Sequence, residues 1–393
     1  MRVYTRYLEP GQKRRRRRRL GQVVLLIFIA FAGAVWWLWF YRTACESAQK
    51  SPPAEFRHKA ASGLPATTSK PDPLRGIQTG TTVPVLNHPA SASNTAASDY
   101  LSHMIEAFPR PVQSVFEAQV ALMRLGISPG LLDGIMGPQT RAAIRVFQST
   151  RGLGVTGELD RKTKSSLLIS APPCTNYIVT WGDLARLQPL STTWLGKSQQ
   201  TALEYETILE LLAEKGCAHP HLIRRLNPYI DWTNVTAGTT IQLPDANYPN
   251  PRTDAAFIII FLADKILEAF DAQTNLLVHF PCSIGRQIEK RPVGELHVAS
   301  IAANPNYTFD PDLFPESPEA NQLRTKLVLP PGPNNPVGVA WIGLDKPGYG
   351  IHGTPVPEHI GRTESHGCFR LANWDANYLL KLVWIGMPVF VQP

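Results

Sequence analysis

The chain has 393 residues, 44% of them apolar and 18% charged, which is long enough for two or three domains with buried cores. Its formal charge of +8 would suit a nucleic-acid partner, but Arg2, Arg6, Lys13 and Arg14 to Arg19 are offset only by Glu9, so the excess lies before residue 20. The remainder is close to neutral, which removes the electrostatic case for nucleic acid.

Residues 1–19 read as a basic cytoplasmic tail and 20–41 as a transmembrane anchor. Val23 to Phe40 is uncharged and about 27 Å long as a helix, enough to cross a bilayer. Trp36, Trp37, Trp39 and Tyr41 crowd its far end, where amphipathic rings favour the interface. A cleaved signal peptide is the competing reading. Against it, Arg42 stands where a small residue is needed before Ala44, and it also spoils a lipoprotein pattern at Cys45. The expectation is a single-pass protein held in the inner membrane by its N-terminal helix, with the rest in the periplasm or cell envelope. Residues 42–110, rich in Pro, Ser, Ala and Thr, read as a flexible linker. Five cysteines are an odd number in an oxidising compartment, so at least one thiol is left over. Cys174 and Cys217 either pair or remain two unpaired buried thiols.

Order resumes in residues 111–171. Val115, Phe116, Val120 and Met123 fall on helical spacing, and Gly126 ends that helix. Pro138 suits a first helical turn, and Asp160 is placed to cap a third short helix. With Gln119, Asp133-Gly134, Thr140, Phe147-Gln148, Thr156-Gly157 and Thr163, this all-α three-helix unit resembles the peptidoglycan-binding domain of cell-wall enzymes. Most of these positions are explained by packing and turns, so no contact residue is named.

Residues 172–250 read as a small α+β unit. It has a strand at Tyr177 to Val179, helices over Ala202 to Glu214 and His219 to Leu226, and a closing strand at Thr240 to Leu243. Leu226-Asn227-Pro228 and Val235 to Pro244 resemble the second half of a lysin-motif domain, a family that binds N-acetylglucosamine-containing glycan. The first half departs from it through a long stretch after Gly182-Asp183-Leu184. A glycan-binding unit and a degenerate spacer are both compatible with this.

Residues 251–393 turn to strands. Phe257 to Leu262, Lys265 to Phe270 and Leu276 to Phe280 are strand runs, and helical periodicity returns only at Trp374 to Leu382. The fold class expected is multidomain, with a mostly β domain and one late helix preceded by the two smaller units. Into the β domain the chain places Ile351-His352-Gly353 and then Ser365-His366-Gly367-Cys368-Phe369-Arg370. Acyl transfer by cysteine needs a thiolate, and a free thiol is only a few per cent ionised at neutral pH, so a nearby imidazole must supply basicity. Donors must also face the oxyanion, and Gly367 lets backbone N–H groups approach.

These residues closely resemble the active-site motif of the L,D-transpeptidase catalytic domain. Arg291-Pro292-Val293-Gly294, Pro330 to Val337 and Trp341-Ile342-Gly343 support the match. The resemblance implies a peptidoglycan L,D-transpeptidase with Cys368 as nucleophile and His352 as base. It also implies that the Gly353 carbonyl orients the imidazole, and that His366 and Gly367 stabilise the oxyanion. Arg370, Ser365 and Trp341 are expected at the substrate. The implied reaction opens a tetrapeptide stem, releases D-alanine and passes a thioester to an amine, giving a 3→3 crosslink or protein attachment. Water as acceptor would make an L,D-carboxypeptidase. A non-catalytic wall-binding scaffold is the rival of another class. No cofactor and no metal are expected: His352, His359, His366 and Cys368 are ligand types but lack zinc-site spacing. Cys282 reads as a small buried hydrophobe, and Tyr307 and Phe309 receive no role.

Overall fold

The computed structural model describes residues 107–393 except 315, 316, 324 and 366, and describes 363–365 by their backbone alone. The basic tail, the expected span at 20–41 and nearly all of the linker lie outside the described residues. Among those described, no helix is long and apolar enough to cross a membrane. This corrects the expected single-pass membrane localisation. The longest described helix has 13 residues and hence about 20 Å, against roughly 20 apolar residues for a span.

In the three-helix unit, strand β1 (Arg110–Pro111) pairs with β2 (Leu168–Ile169) and ties its ends together. Helix α1 (Val115–Met123) is capped by Ser114, whose hydroxyl accepts from Glu117 N. Helix α2 (Pro138–Thr150) starts on its proline, and α3 (Arg161–Ser166) is capped by Asp160 through Thr163 N at 2.8 Å. Leu122, Met123, Ile144, Phe147 and Leu167 fill the core. Two fully buried glutamines hold the turns between helices. Gln119 donates to Asp133 Oδ1 and Thr140 Oγ1 and accepts from Gly134 N. Gln148 does the same for the next turn, donating to Thr156 Oγ1, Glu158 O and Thr163 Oγ1 and accepting from Thr156 N and Gly157 N. The motif residues of this unit are therefore occupied in scaffolding.

In residues 172–250, β3 (Cys174–Ile178) and β4 (Thr240–Pro244) are antiparallel and enclose α4 (Trp181–Ala185), α5 (Trp194–Ser198), α6 (Ile208–Lys215) and α7 (Pro220–Leu226). The helix expected from Ala202 begins only at Ile208. The preceding residues pair elsewhere: Leu203 N–H donates to Pro331 O at 2.8 Å, and Asn334 N–H donates to Leu203 O at 2.9 Å. Cys174 and Cys217 are separate thiols, which removes the disulfide alternative.

The β domain comprises β5 (Phe257–Phe261), β6 (Ile266–Phe270), β7 (Leu276–Pro281), β8 (Ile284–Gly285), β9 (Gly294–Ala303), β10 (Tyr307–Phe309), β11 (Leu327–Leu329), β12 (Ala340–Leu344), β13 (Gly350–His352), β14 (Thr363–Ser365), β15 (Phe369–Arg370), α8 (Asn373–Leu379) and β16 (Pro388–Gln392). Eight strands form one curled sheet in the order β15-β13-β12-β9-β16-β5-β6-β7, a mostly-sheet half-barrel behind the helical unit, as the sequence led us to expect. Alternation drives it. Ile258 and Ile260 are fully buried, each stabilising by about 1.5–3 kcal/mol, while Phe257 between them and solvent stacks on Phe270 at 5.2 Å.

The two ends of this strand order do different work. At β7, Ser128 N–H donates to His279 O at 2.8 Å and His279 N–H donates to Gly126 O at 3.0 Å, so the three-helix unit covers that edge. Asp375 on α8 accepts from Ser128 Oγ and Tyr248 OH, and burial pushes it up to about 7. The other end pairs β15 with β13 and so brings the His352 and Cys368 segments side by side.

Candidate active site

Strand β13 lies between β12 and β15. Its parallel register with β15 sets Ile351 opposite Phe369 and His352 opposite Arg370, which puts Gly350 opposite Cys368. Ile351 and Phe369 are fully buried, so the alternate positions Gly350, His352, Cys368 and Arg370 share the other face. On that face Cys368 lies two positions before Arg370, the register partner of His352. Trp341 on β12 stands opposite His352 and their rings stack at 5.7 Å. A side chain at 350 would strike the Trp341 ring, which explains the glycine.

His352 is buried, and its Nδ1 lies 2.6 Å from the carbonyl oxygen of Gly353. A carbonyl only accepts, so Nδ1 carries the hydrogen and Nε2 keeps its lone pair. Gly353 is itself fixed, because a Cβ there would collide with Asn373 Oδ1. Asn373 in turn donates to Glu214 Oε2 at 3.0 Å and to Pro333 O at 3.1 Å. Burial pushes Glu214 up to about 7. The orientation of the imidazole is thus built from α8 and from α6 of the preceding unit.

Burial lowers the His352 imidazole to about 4, with the Arg370 guanidinium adding to the shift and the Gly353 carbonyl opposing it. Burial raises the Cys368 thiol, against the backbone at Gly350 and the charge of Arg370. Its Sγ lies 3.4 Å from Gly348 O, within reach of an S–H donor. The sequence argument expected an imidazole that ionises the resting thiol. Burial acts against that pairing, lowering the imidazole to about 4 and raising the thiol.

Gly367 has φ +146, and a Cβ there would lie 2.9 Å from Tyr349 Cε1, so the residue before the cysteine must be glycine. His366 lies outside the described residues, and Ser365 is described only as backbone of β14, opposite Gly285. Arg370 exchanges backbone hydrogen bonds with Ser283, while its side-chain Nε is buried without a partner among the described residues. Trp341 packs on the imidazole. Cys282 is fully buried and pushed up to about 12, in keeping with a small hydrophobe.

Tyr307, left without a role by the sequence, lies within electrostatic reach of Cys368 and Arg370, and burial raises its hydroxyl to about 12. As an aromatic residue between strands it suited cleft lining and core equally; it lies on the β10–β11 pair, opposite Leu329. Phe309, two residues on, is buried core.

Comparison with known proteins bears on this arrangement directly. A family model of the L,D-transpeptidase catalytic domain matches residues 255–391. Residues 255–391 are an L,D-transpeptidase catalytic domain. A peptidoglycan-binding domain model matches residues 112–167, the three-helix unit. The chain is similar to a Bacillus licheniformis protein named L,D-transpeptidase YkuD, at 27% identity over 48% of this chain and 94% of that one. It is also similar to an Escherichia coli K12 protein named L,D-transpeptidase YbiS, at 30% identity over 42% of this chain and 53% of the relative. Among solved structures, an L,D-transpeptidase from Mycobacterium smegmatis aligns with 40% of this chain and 65% of its own at 18% identity and a TM-score of 0.28, too low to carry an argument. With its catalytic domain the chain is an L,D-transpeptidase enzyme, and its helical unit is similar to peptidoglycan-binding domains.

Proposed function

We propose that Cys368 is the nucleophile and His352 the general base of a ping-pong acyl transfer on peptidoglycan stems. As the thiol attacks the carbonyl of the third stem residue, its proton passes to Nε2 of His352 and a tetrahedral oxyanion forms. In this reading the backbone N–H groups of Gly367 and Cys368, together with His366, stabilise that charge. Collapse breaks the peptide bond, the imidazolium returns its proton to the departing amine of D-alanine, and a thioester remains on Cys368. An incoming amine then takes the acyl group in the reverse sequence. Arg370 and Ser365 serve the stem peptide, and Trp341 holds the imidazole plane. In this reading residues 111–171 bind the wall, 172–250 connect and 251–393 catalyse.

The observation that carries the reading is the 2.6 Å hydrogen bond from His352 Nδ1 to the Gly353 carbonyl, which leaves Nε2 as acceptor on the sheet face shared with Cys368. A base is useful here because the thiol starts protonated. The test is mass spectrometry of muropeptides after incubation with the wild-type chain and with Cys368→Ala. We expect crosslinked or exchanged stems from the wild type, none from the variant, and unchanged sedimentation of both with peptidoglycan. A variant that still forms product would refute the assignment, and shortened tripeptide stems alone would assign water as the acceptor.

A further inference from the structure

The long stretch that sets residues 172–250 apart from the lysin-motif pattern reaches into the catalytic domain. Its helix α5 packs Trp194 on Phe309 with ring centroids 4.2 Å apart, and Leu195 N–H donates to Glu319 Oε1 at 3.1 Å. Gly332 accommodates the approach: it has φ +143, and a Cβ there would run into the backbone of Leu203. Beyond Trp194, Lys197 places its ammonium 5.7 Å from that ring. Trp194 and Lys197 then form one wall of a cavity of about 230 Å³ whose lining also includes Arg370, Ser283, Thr354 and Asn334.

The charges of this cavity are one-sided. Two cations line it and, among the described residues, no Asp or Glu does. Neither Lys197 nor Arg370 forms an ion pair with a described residue, and Glu319 on the same wall is not part of the lining. Holding two like charges around a cavity costs free energy that an anion between them would offset. Arg370 acts electrostatically on both Cys368 and His352, so an anion bound there lies beside the reacting atoms.

We propose that Lys197 is a specificity-determining residue which, together with Arg370, binds a carboxylate of the donor stem peptide. The inference rests on the transpeptidase reading of the site. It makes the segment ahead of the catalytic domain part of substrate recognition. The chemistry fits two carboxylates of a tetrapeptide stem, the C-terminal one and the one on the diamino-acid side chain, and amidated stems separate them.

The test is steady-state turnover of a soluble tetrapeptide stem by the full chain and by Lys197→Ala, Lys197→Glu and Lys197→Arg. Alkylation of Cys368 by iodoacetamide serves as a control for an intact site. We expect KM to rise about tenfold for alanine and further for glutamate, with kcat within about twofold and arginine close to wild type. Amidating the recognised carboxylate should raise the wild-type KM to that of Lys197→Ala and erase the difference between them. An unchanged KM in Lys197→Glu, or sensitivity to Lys197 that survives amidation at both positions, overturns the proposal while leaving the enzyme reading intact. A wild-type chain that never acylates on the stem overturns both.

Discussion

Two sets of buried polar groups in this molecule have opposite characters. In the three-helix domain, Gln119 and Gln148 are neutral, fully buried and hydrogen-bonded to the turns around them. At the β13–β15 edge, His352 and Cys368 are shifted toward their neutral forms, and Arg370 keeps a buried Nε without a described partner. Satisfied neutral groups fix a structure, whereas titratable groups shifted by burial mark a place where protons can be moved. The catalytic domain contains both kinds, since Asn373, packed close against Gly353, is hydrogen-bonded to Val339, Glu214 and Pro333.

The comparison can be broken most sharply at Gln148. Replacing it by Leu strands the buried N–H of Gly157 and the hydroxyl of Thr163, so we expect a loss of about 3–5 kcal/mol of stability. Acylation of Cys368 in protein that remains folded should be unchanged. Denaturant melts and intact-mass kinetics check both halves; a stable Gln148→Leu would mean that the hub holds nothing.

A smaller effect sharpens the comparison at the junction. Asp375 is raised from an unfolded value near 3.8 to about 7 when folded, so its stabilising contribution is complete below pH 3.8 and is lost as pH rises toward 7. Over that window its contribution falls by about 1.4 kcal/mol per pH unit. Asp375→Asn, which cannot ionise, should flatten this slope in melts taken between pH 4 and 7. An unaltered slope would move the titration to another group such as Glu214.

What the sequence made legible was mostly local. Ser114, Pro138 and Asp160 announce helix starts because capping involves only the next few residues. The His352 and Cys368 segments stood out through their resemblance to the L,D-transpeptidase active-site motif, and the family model that matches residues 255–391 includes both. The non-helical run 202–206 was not, since its pairing partners Pro331 and Asn334 lie more than a hundred residues away. The same distance hid Lys197 and the Glu214–Asn373 contact. The shifts of the histidine and cysteine were hidden for another reason: they come from burial, which no spacing encodes.

The central claim is that a neutral imidazole takes the proton of a neutral thiol during attack. It is tested most directly by the pH dependence of Cys368 acylation by a tetrapeptide stem, followed by intact mass in the wild type and in His352→Ala. The account predicts an acid limb near pH 4, a plateau through neutrality and a loss of about 10²–10⁴-fold in the variant. An acid limb near 6.5, or a variant that acylates as fast as the wild type, would contradict it.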